Sequence, residues 1–234
     1  AYHAFAARHR DHPNDFQPLH YLAYVFRLCN LVDRALAAER LAIERDPSVL
    51  WSYRSSFRLL ADNRRDAEAA VLLEQAQVRF PDLVMTRLFP LALLLNQERF
   101  AEIVEEAPKI SQSADDPQAR FKWAYALIRL GRPDEARSHV AILEPFARVD
   151  MDFAASQAAL LGWLGERDAA FGHLARAAEL GNDSVYIYER EDLYGPLHGD
   201  PRWAPFLAAR RERAESYRDE LRWPIDLDAT EGGR

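Results

Sequence analysis

Three carboxylates near the end of the chain are the side chains best placed for acid–base chemistry. Glu189, Glu191 and Asp192 stand together just before Tyr194, and neighbouring carboxylates are frequent agents of proton transfer in active sites. The sequence pairs them with no nucleophile, and we therefore assign them to turn and helix-cap roles.

Metal binding and thiol chemistry have weaker support. His9 and His12 lie one helical turn apart, but the sequence brings no Cys or further His beside them to complete a metal site. Cys29, the one cysteine, lies between Leu28 and Leu31, where a small apolar filler is more frequent than a reactive thiol. We predict no metal site and no disulfide.

Enzymatic motifs are absent from the sequence. It contains no phosphate-binding GxxxxGK[ST], no GxGxxG after a strand, no GxSxG and no HExxH. We therefore predict a non-enzymatic protein that needs no cofactor and has no catalytic residues.

The composition predicts a folded, soluble chain. Of its 234 residues 49% are hydrophobic and 29% charged, which is too apolar for global disorder. A net charge of −7 disfavours nucleic acid as a partner, and the chain has neither a membrane-spanning apolar run nor a signal-peptide pattern. The compartment stays open: the cytoplasm is favoured, with the periplasm as the alternative.

A regular period organises most of the sequence. Pro13, Pro47 and Pro81 are 34 residues apart (47 − 13 and 81 − 47), and helical patterns repeat between them. Gly131 and Gly165 recur at the same interval. Alanines recur with them at equivalent helix positions, where two backbones must approach closely: Ala35, Ala42, Ala69, Ala76, Ala136 and Ala170.

With this period and these residues, 16–184 resembles the tetratricopeptide (TPR) family. The resemblance implies an all-α, right-handed TPR-like solenoid of about five helix pairs with a C-terminal capping helix. The pairs are expected at 16–49, 50–83, 84–116, 117–150 and 151–184. We expect a truncated leading helix at 1–15, a C-terminal cap at 185–223 and a disordered tail at 224–234.

The C-terminal cap has two features of its own. Its segment YEREDLYGPLHGDPRWAPFL is similar to the end of TPR modules appended to bacterial regulators. Its last helix has an apolar stripe, for which we favour packing on the fifth repeat and keep a homodimer seam as the alternative. The stripe consists of Trp203, Phe206, Leu207, Ala214, Tyr217 and Leu221.

The resemblance also implies a concave groove lined by the first helix of each pair, helix A. Its second, fifth, ninth and thirteenth positions would point into the groove, with Arg27 and Lys122 at the edge and only Asp62 and Asp152 as opposing acids. The candidate partner-binding residues are Tyr24, Arg27, Trp51, Arg54, Arg58, Phe121, Lys122, Tyr125, Arg129 and Trp163. His20 and Leu88 fall on the same face.

Arginine and aromatic side chains are typical of interface hot spots. The sequence therefore predicts a scaffold that binds a protein or peptide with acidic and apolar side chains. Several of these rings could instead be core residues of their repeats. Two other functions stay open: a ligand-sensing regulatory module of a larger bacterial signalling protein, and an oligomerisation module.

Overall fold

The computed structural model describes residues 2–81, 84–114, 116–218 and 221. Within these ranges the chain forms 14 helices and no strand, which confirms the predicted all-α fold. Ten of the helices form five consecutive pairs, and we call the first helix of each pair helix A and the second helix B.

The helix A set begins at Phe16, Leu50, Val84, Pro117 and Met151. Its members are α2 (Phe16–Leu28), α4 (Leu50–Asp62), α6 (Val84–Asn96), α8 (Pro117–Arg129) and α10 (Met151–Trp163). The helix B set is α3 (Val32–Arg45), α5 (Asp66–Arg79), α7 (Phe100–Ala114), α9 (Pro133–Ala147) and α11 (Arg167–Glu179). Outside the pairs lie α1 (Tyr2–Asp11), α12 (Val185–Tyr188), α13 (Glu191–His198) and α14 (Trp203–Arg218).

Aspartate side chains cap the N-termini of several members of the helix A set. The carboxylates of Asp15, Asp116 and Asp150 accept hydrogen bonds from main-chain N–H groups in the first turns of α2, α8 and α10. These N–H groups have no partner inside their own helix, and a side-chain cap satisfies them. The caps fix where three of the repeats start.

The turn from helix A to helix B uses one left-handed residue in all five pairs. The backbone φ angles at this position lie between 57° and 79°, in a region that glycine enters without steric cost. Gly131 and Gly165 occupy it in the last two pairs, and three non-glycine residues occupy it in the others: Asn30, Arg64 and Glu98. The turn geometry therefore repeats more strictly than its sequence.

Small residues let the two helices of a pair approach closely. The six repeated alanines of helix B are all fully buried, as the pattern predicts. Ile103 replaces the alanine in the third pair and is fully buried as well. That pair therefore has a larger side chain at the contact between its two helices.

The chain divides into two compact units, Ala1–Phe80 with Arg211–Arg234 (unit 1) and Pro81–Arg210 (unit 2). In unit 1, α1 packs on α2, and α2 to α5 pack in sequence order. Leu221 also belongs to this unit, and its carbonyl accepts hydrogen bonds from Tyr2 Oη at 3.5 Å and Arg34 Nη1 at 3.2 Å.

Unit 2 has one continuous core. Buried side chains from α6 to α11 join those of α12, α13 and the start of α14 in a single cluster. Trp203 of the apolar stripe belongs to this cluster, and Phe206 and Leu207 pack against it. These contacts are of the kind expected of a capping helix, and the C-terminal cap at 185–223 stays a prediction.

The rest of the stripe lies in unit 1, where Ala214 and Leu221 are buried and Tyr217 is exposed. The homodimer seam stays a prediction, as do the right-handed twist and the division of the chain at residues 16, 184 and 223. The predicted disordered tail lies outside the described residues.

Candidate functional site

The ten candidate binding residues fall equally in the two units. We call Tyr24, Arg27, Trp51, Arg54 and Arg58 face 1, on α2 and α4 of unit 1. We call Phe121, Lys122, Tyr125, Arg129 and Trp163 face 2, on α8 and α10 of unit 2. Each face is described within its own unit.

Face 1 presents two aromatic rings to solvent, each with an arginine over it. Trp51 is 58% exposed and Tyr24 is 44% exposed. The Arg54 guanidinium carbon lies 5.4 Å from the centre of the Trp51 ring, and that of Arg27 lies 4.9 Å from the Tyr24 ring. Such cation–π contacts hold a planar cation against an apolar surface that stays accessible.

Two further ionisable side chains lie on the same helices. Arg58 pairs with Asp62 one turn later in α4, at 3.3 Å. His20 Nδ1 lies 2.8 Å from Glu39 Oε1, and the Glu39 side chain is fully buried in α3. The hydrogen bond to Glu39 raises the pKa of His20, although partial burial opposes it. His20 is therefore a titratable cation at the fifth position of α2, the helix that carries Tyr24.

Face 2 has the same residue types in a different environment. Tyr125 is fully buried and Phe121 is nearly so. The Arg129 guanidinium lies between rings, 4.8 Å from the centre of Phe100 and 4.7 Å from that of Trp163. Lys122 Nζ lies 3.5 Å from a main-chain carbonyl of its own helix, that of Gln118.

The chain's own C-terminal region covers face 2. Tyr125 Oη donates a hydrogen bond to the Asp192 carbonyl and accepts one from Arg129 Nη1 at 2.8 Å. Trp163 Nε1 lies 3.1 Å from the same carbonyl and 3.0 Å from that of Leu193. Burial is the main cause that raises the pKa of Tyr125. Main-chain carbonyls of α13 thus accept hydrogen bonds from two polar groups of face 2, the Tyr125 hydroxyl and the Trp163 indole N–H.

Sequence reasoning missed the residues that complete this contact. Arg190 Nη2 donates to Asn96 Oδ1 at 3.0 Å and to Asp192 Oδ2 at 2.6 Å. Tyr194 Oη donates to the Ala155 carbonyl at 2.9 Å. The acidic and aromatic composition of 188–194 was visible in the sequence, but nothing in the repeat pattern indicates where a non-repeat segment docks.

Two of the three carboxylates near the end of the chain form ion pairs. Glu191 Oε2 lies 2.6 Å from His198 Nδ1, and Asp192 pairs with Arg190. Cys29 is buried and is the C-cap of α2. Among the described residues, no three His, Cys, Asp or Glu side chains are grouped to hold a metal ion. In the same ranges every helix is too short or too polar to span a bilayer.

A comparison with solved structures finds similarity to YrrB, described as a TPR protein with an unusual peptide-binding site. The match has 21% sequence identity and a TM-score of 0.45, and it covers 82% of this chain and 100% of that one. No protein-family model matches the sequence, and no curated protein matches it. The description of the fold therefore rests on the chain's own helix pairs, their period and their buried alanines.

Proposed function

We propose that this chain is a non-enzymatic binding scaffold and that face 1 takes a protein segment with acidic and apolar side chains. The observation that carries the proposal is Trp51, the most exposed ring of the face, with the Arg54 guanidinium stacked over it. A large ring beside an arginine offers apolar contact area and a carboxylate-binding fork in one place.

Charge favours an acidic partner at this face. Arg54 and Arg58 are partly exposed cations of α4, and Asp62 is paired with Arg58. Arg27 of α2 is buried, at 4% exposure, and its guanidinium contacts the Tyr24 ring. The chain as a whole has a net charge of −7, so face 1 differs from the average surface. Attraction between exposed charges weakens as salt screens it, and we expect the affinity for an acidic segment to fall with ionic strength.

Synthetic peptides test the proposal. Fluorescence anisotropy would compare a labelled peptide of alternating Glu and Leu or Phe with one in which every Glu is replaced by Lys. We expect the native chain to bind the acidic peptide and the double variant Trp51→Ala, Arg54→Glu to bind it at least about 10-fold more weakly, since hot-spot residues contribute most of the affinity of an interface.

Arg148→Glu is the matched control. It makes the same charge reversal at a side chain that is 73% exposed and belongs to unit 2, which carries none of the residues of face 1. Equal binding by native chain and control, with loss in the double variant, supports face 1. Equal loss of binding in both variants would mean that the change in net charge, and not face 1, causes the loss. If the native chain bound neither peptide, the proposed partner chemistry would be contradicted.

A further inference from the structure

We propose that face 2 is a peptide-binding face that the chain fills with a segment of itself, Arg190–Leu197, which we call the docked segment. In this account the docked segment is an internal ligand that closes face 2 to other peptides. Three features of unit 2 support it: the main-chain bonds, a fitted apolar contact and an ion pair that bridges to a third repeat.

The main-chain bonds are of the kind by which a groove holds a peptide irrespective of its sequence. Tyr125 Oη and Trp163 Nε1 both donate to the Asp192 carbonyl, and Trp163 also reaches that of Leu193. The two donors come from different repeats, at the ninth position of α8 and the thirteenth of α10. Both are positions that the family resemblance assigns to partner contact.

Shape complementarity accompanies these bonds. Leu197 of the docked segment is fully buried, and it lies over Gly162 of α10. A Cβ atom at Gly162 would lie 3.0 Å from Leu197 Cγ and 3.2 Å from both of its Cδ atoms. Helix α10 thus has no side chain at the point where Leu197 contacts it, as expected of a surface fitted to this ligand.

The ion pair extends the contact to a third repeat. Arg190 and Asp192 pair at 2.6 Å with side chains only 9% and 15% exposed, and Arg190 also bonds to Asn96. Asn96 is the thirteenth residue of α6. The docked segment therefore contacts the helices A of three consecutive repeats, which is the span that a bound peptide would cover.

Occupancy by a tethered segment explains why face 2 would be closed. A segment joined to the chain competes at an effective concentration on the order of millimolar. The apparent affinity of any other ligand falls in proportion to the fraction of molecules in which the face is open. Face 1, with its exposed rings, is then the face available to partners.

The test adds the docked segment back as a separate peptide. All proteins carry Trp51→Ala and Arg54→Glu, so that face 1 cannot bind the peptide and the result does not depend on the proposed function. The probe is a labelled peptide of residues 185–198. In one protein the segment of the chain is expelled by Leu193→Asp and Leu197→Asp, which place carboxylates at buried positions.

We expect the expelled variant to bind the peptide at least about 10-fold more tightly than the protein with its segment docked. Adding Trp163→Phe, which keeps a ring and removes the indole N–H, should weaken this binding about 10-fold because the peptide carbonyls lose their donor. Val78→Asp, at an exposed position of α5, is the control and should leave binding unchanged. An expelled variant that stays helical and binds no tighter would overturn the proposal.

A second measurement applies if the expelled variant does not fold. Hydrogen exchange of the otherwise native chain would compare Trp163→Phe with the parent sequence. We expect exchange in 190–197 to accelerate about 10-fold while α11 is unchanged, because the segment alone loses its anchor. Unchanged exchange in 190–197 would overturn the proposal.

Discussion

Tyr24 and Tyr125 occupy the same position of helix A, the ninth, in two repeats that belong to different units. Tyr24 is 44% exposed with an arginine over its ring, whereas Tyr125 is fully buried with its hydroxyl bonded to the Asp192 carbonyl. The repeat position determines the direction in which a side chain points. For Tyr125, a segment outside the repeats is what buries the side chain.

The same lesson holds for tryptophan. Trp51 of face 1 is among the most exposed large hydrophobic side chains of the described residues, whereas Trp163 of face 2 donates its N–H to two carbonyls of α13. A substitution in face 1 should therefore change binding with little effect on stability. The matching substitution in face 2 should change stability.

Truncation of the two tyrosines gives the most pronounced contrast. We expect Tyr125→Ala to lower the free energy of unfolding by about 3–5 kcal/mol, as large-to-small changes at buried aromatic positions do. Tyr24→Ala should cost about 1 kcal/mol or less, because its ring is already half in water. Urea unfolding followed by circular dichroism measures both, and similar losses in the two variants would contradict the distinction between the faces.

A side chain at Gly162 should interfere with the covering of face 2. Gly162→Leu places carbon atoms where Leu197 lies, and we expect a loss of about 1–3 kcal/mol from overpacking. Gly172→Leu in α11 is the control, since a Cβ there meets no atom within 4 Å. The urea midpoints of the two variants measure this difference. An equal loss of stability in both would mean that Leu197 is not held against α10.

Face 1 should respond to pH through His20, whereas face 2 has Phe121 at the equivalent fifth position of α8. Pairing with Glu39 raises the pKa of His20 in the folded chain, so the folded state binds this proton more tightly than the unfolded state does. The stabilisation is complete below the ordinary histidine pKa of about 6.5 and is lost as the pH rises through the raised value.

We therefore expect the melting temperature of the native chain to fall over that pH range relative to His20→Gln, which cannot titrate. Phe121→Leu is the matched control on face 2 and should keep the native pH dependence. If the melting temperatures of the native chain and His20→Gln changed with pH in parallel, His20 would not be the titrating group.

Substitutions at the left-handed turns should have the smallest effects. Arg64 in unit 1 and Glu98 in unit 2 have positive φ angles near 60°, which costs a residue with a side chain about 1–2 kcal/mol. Glycine avoids this cost but loses more backbone entropy. We expect Arg64→Gly and Glu98→Gly each to stabilise the chain by about 0.5 kcal/mol, and Gly131→Ala to destabilise it by about 1 kcal/mol, in thermal melts.

The helix pairs could be predicted because prolines, glycines and alanines recur at a fixed interval along the sequence. The left-handed turn was predicted only at Gly131 and Gly165. Asn30 has a residue type that tolerates this backbone, whereas Arg64 and Glu98 adopt it without any such signal. Repeat geometry imposed by neighbouring helices overrides the local preference at these positions.

The sequence indicated which positions form the candidate site, but it did not indicate which of their side chains are exposed and which are buried. Tyr125 and Trp163 carry the residue types of a binding face, and their sequence neighbours do not reveal that α13 returns to them. That contact depends on main-chain carbonyls of Asp192 and Leu193, which every residue possesses and no sequence pattern marks. Gly162 became meaningful only when Leu197 was seen against it.

Hydrogen exchange of the native chain with and without a saturating acidic peptide tests the central claim most directly, because it reports on both faces in one experiment. We expect slower exchange in α2 and α4, which carry face 1, and unchanged exchange in α8, α10 and 190–197. Protection confined to α8 and α10, with faster exchange in 190–197, would show that the peptide displaces the docked segment and would contradict the assignment of face 1 as the binding face.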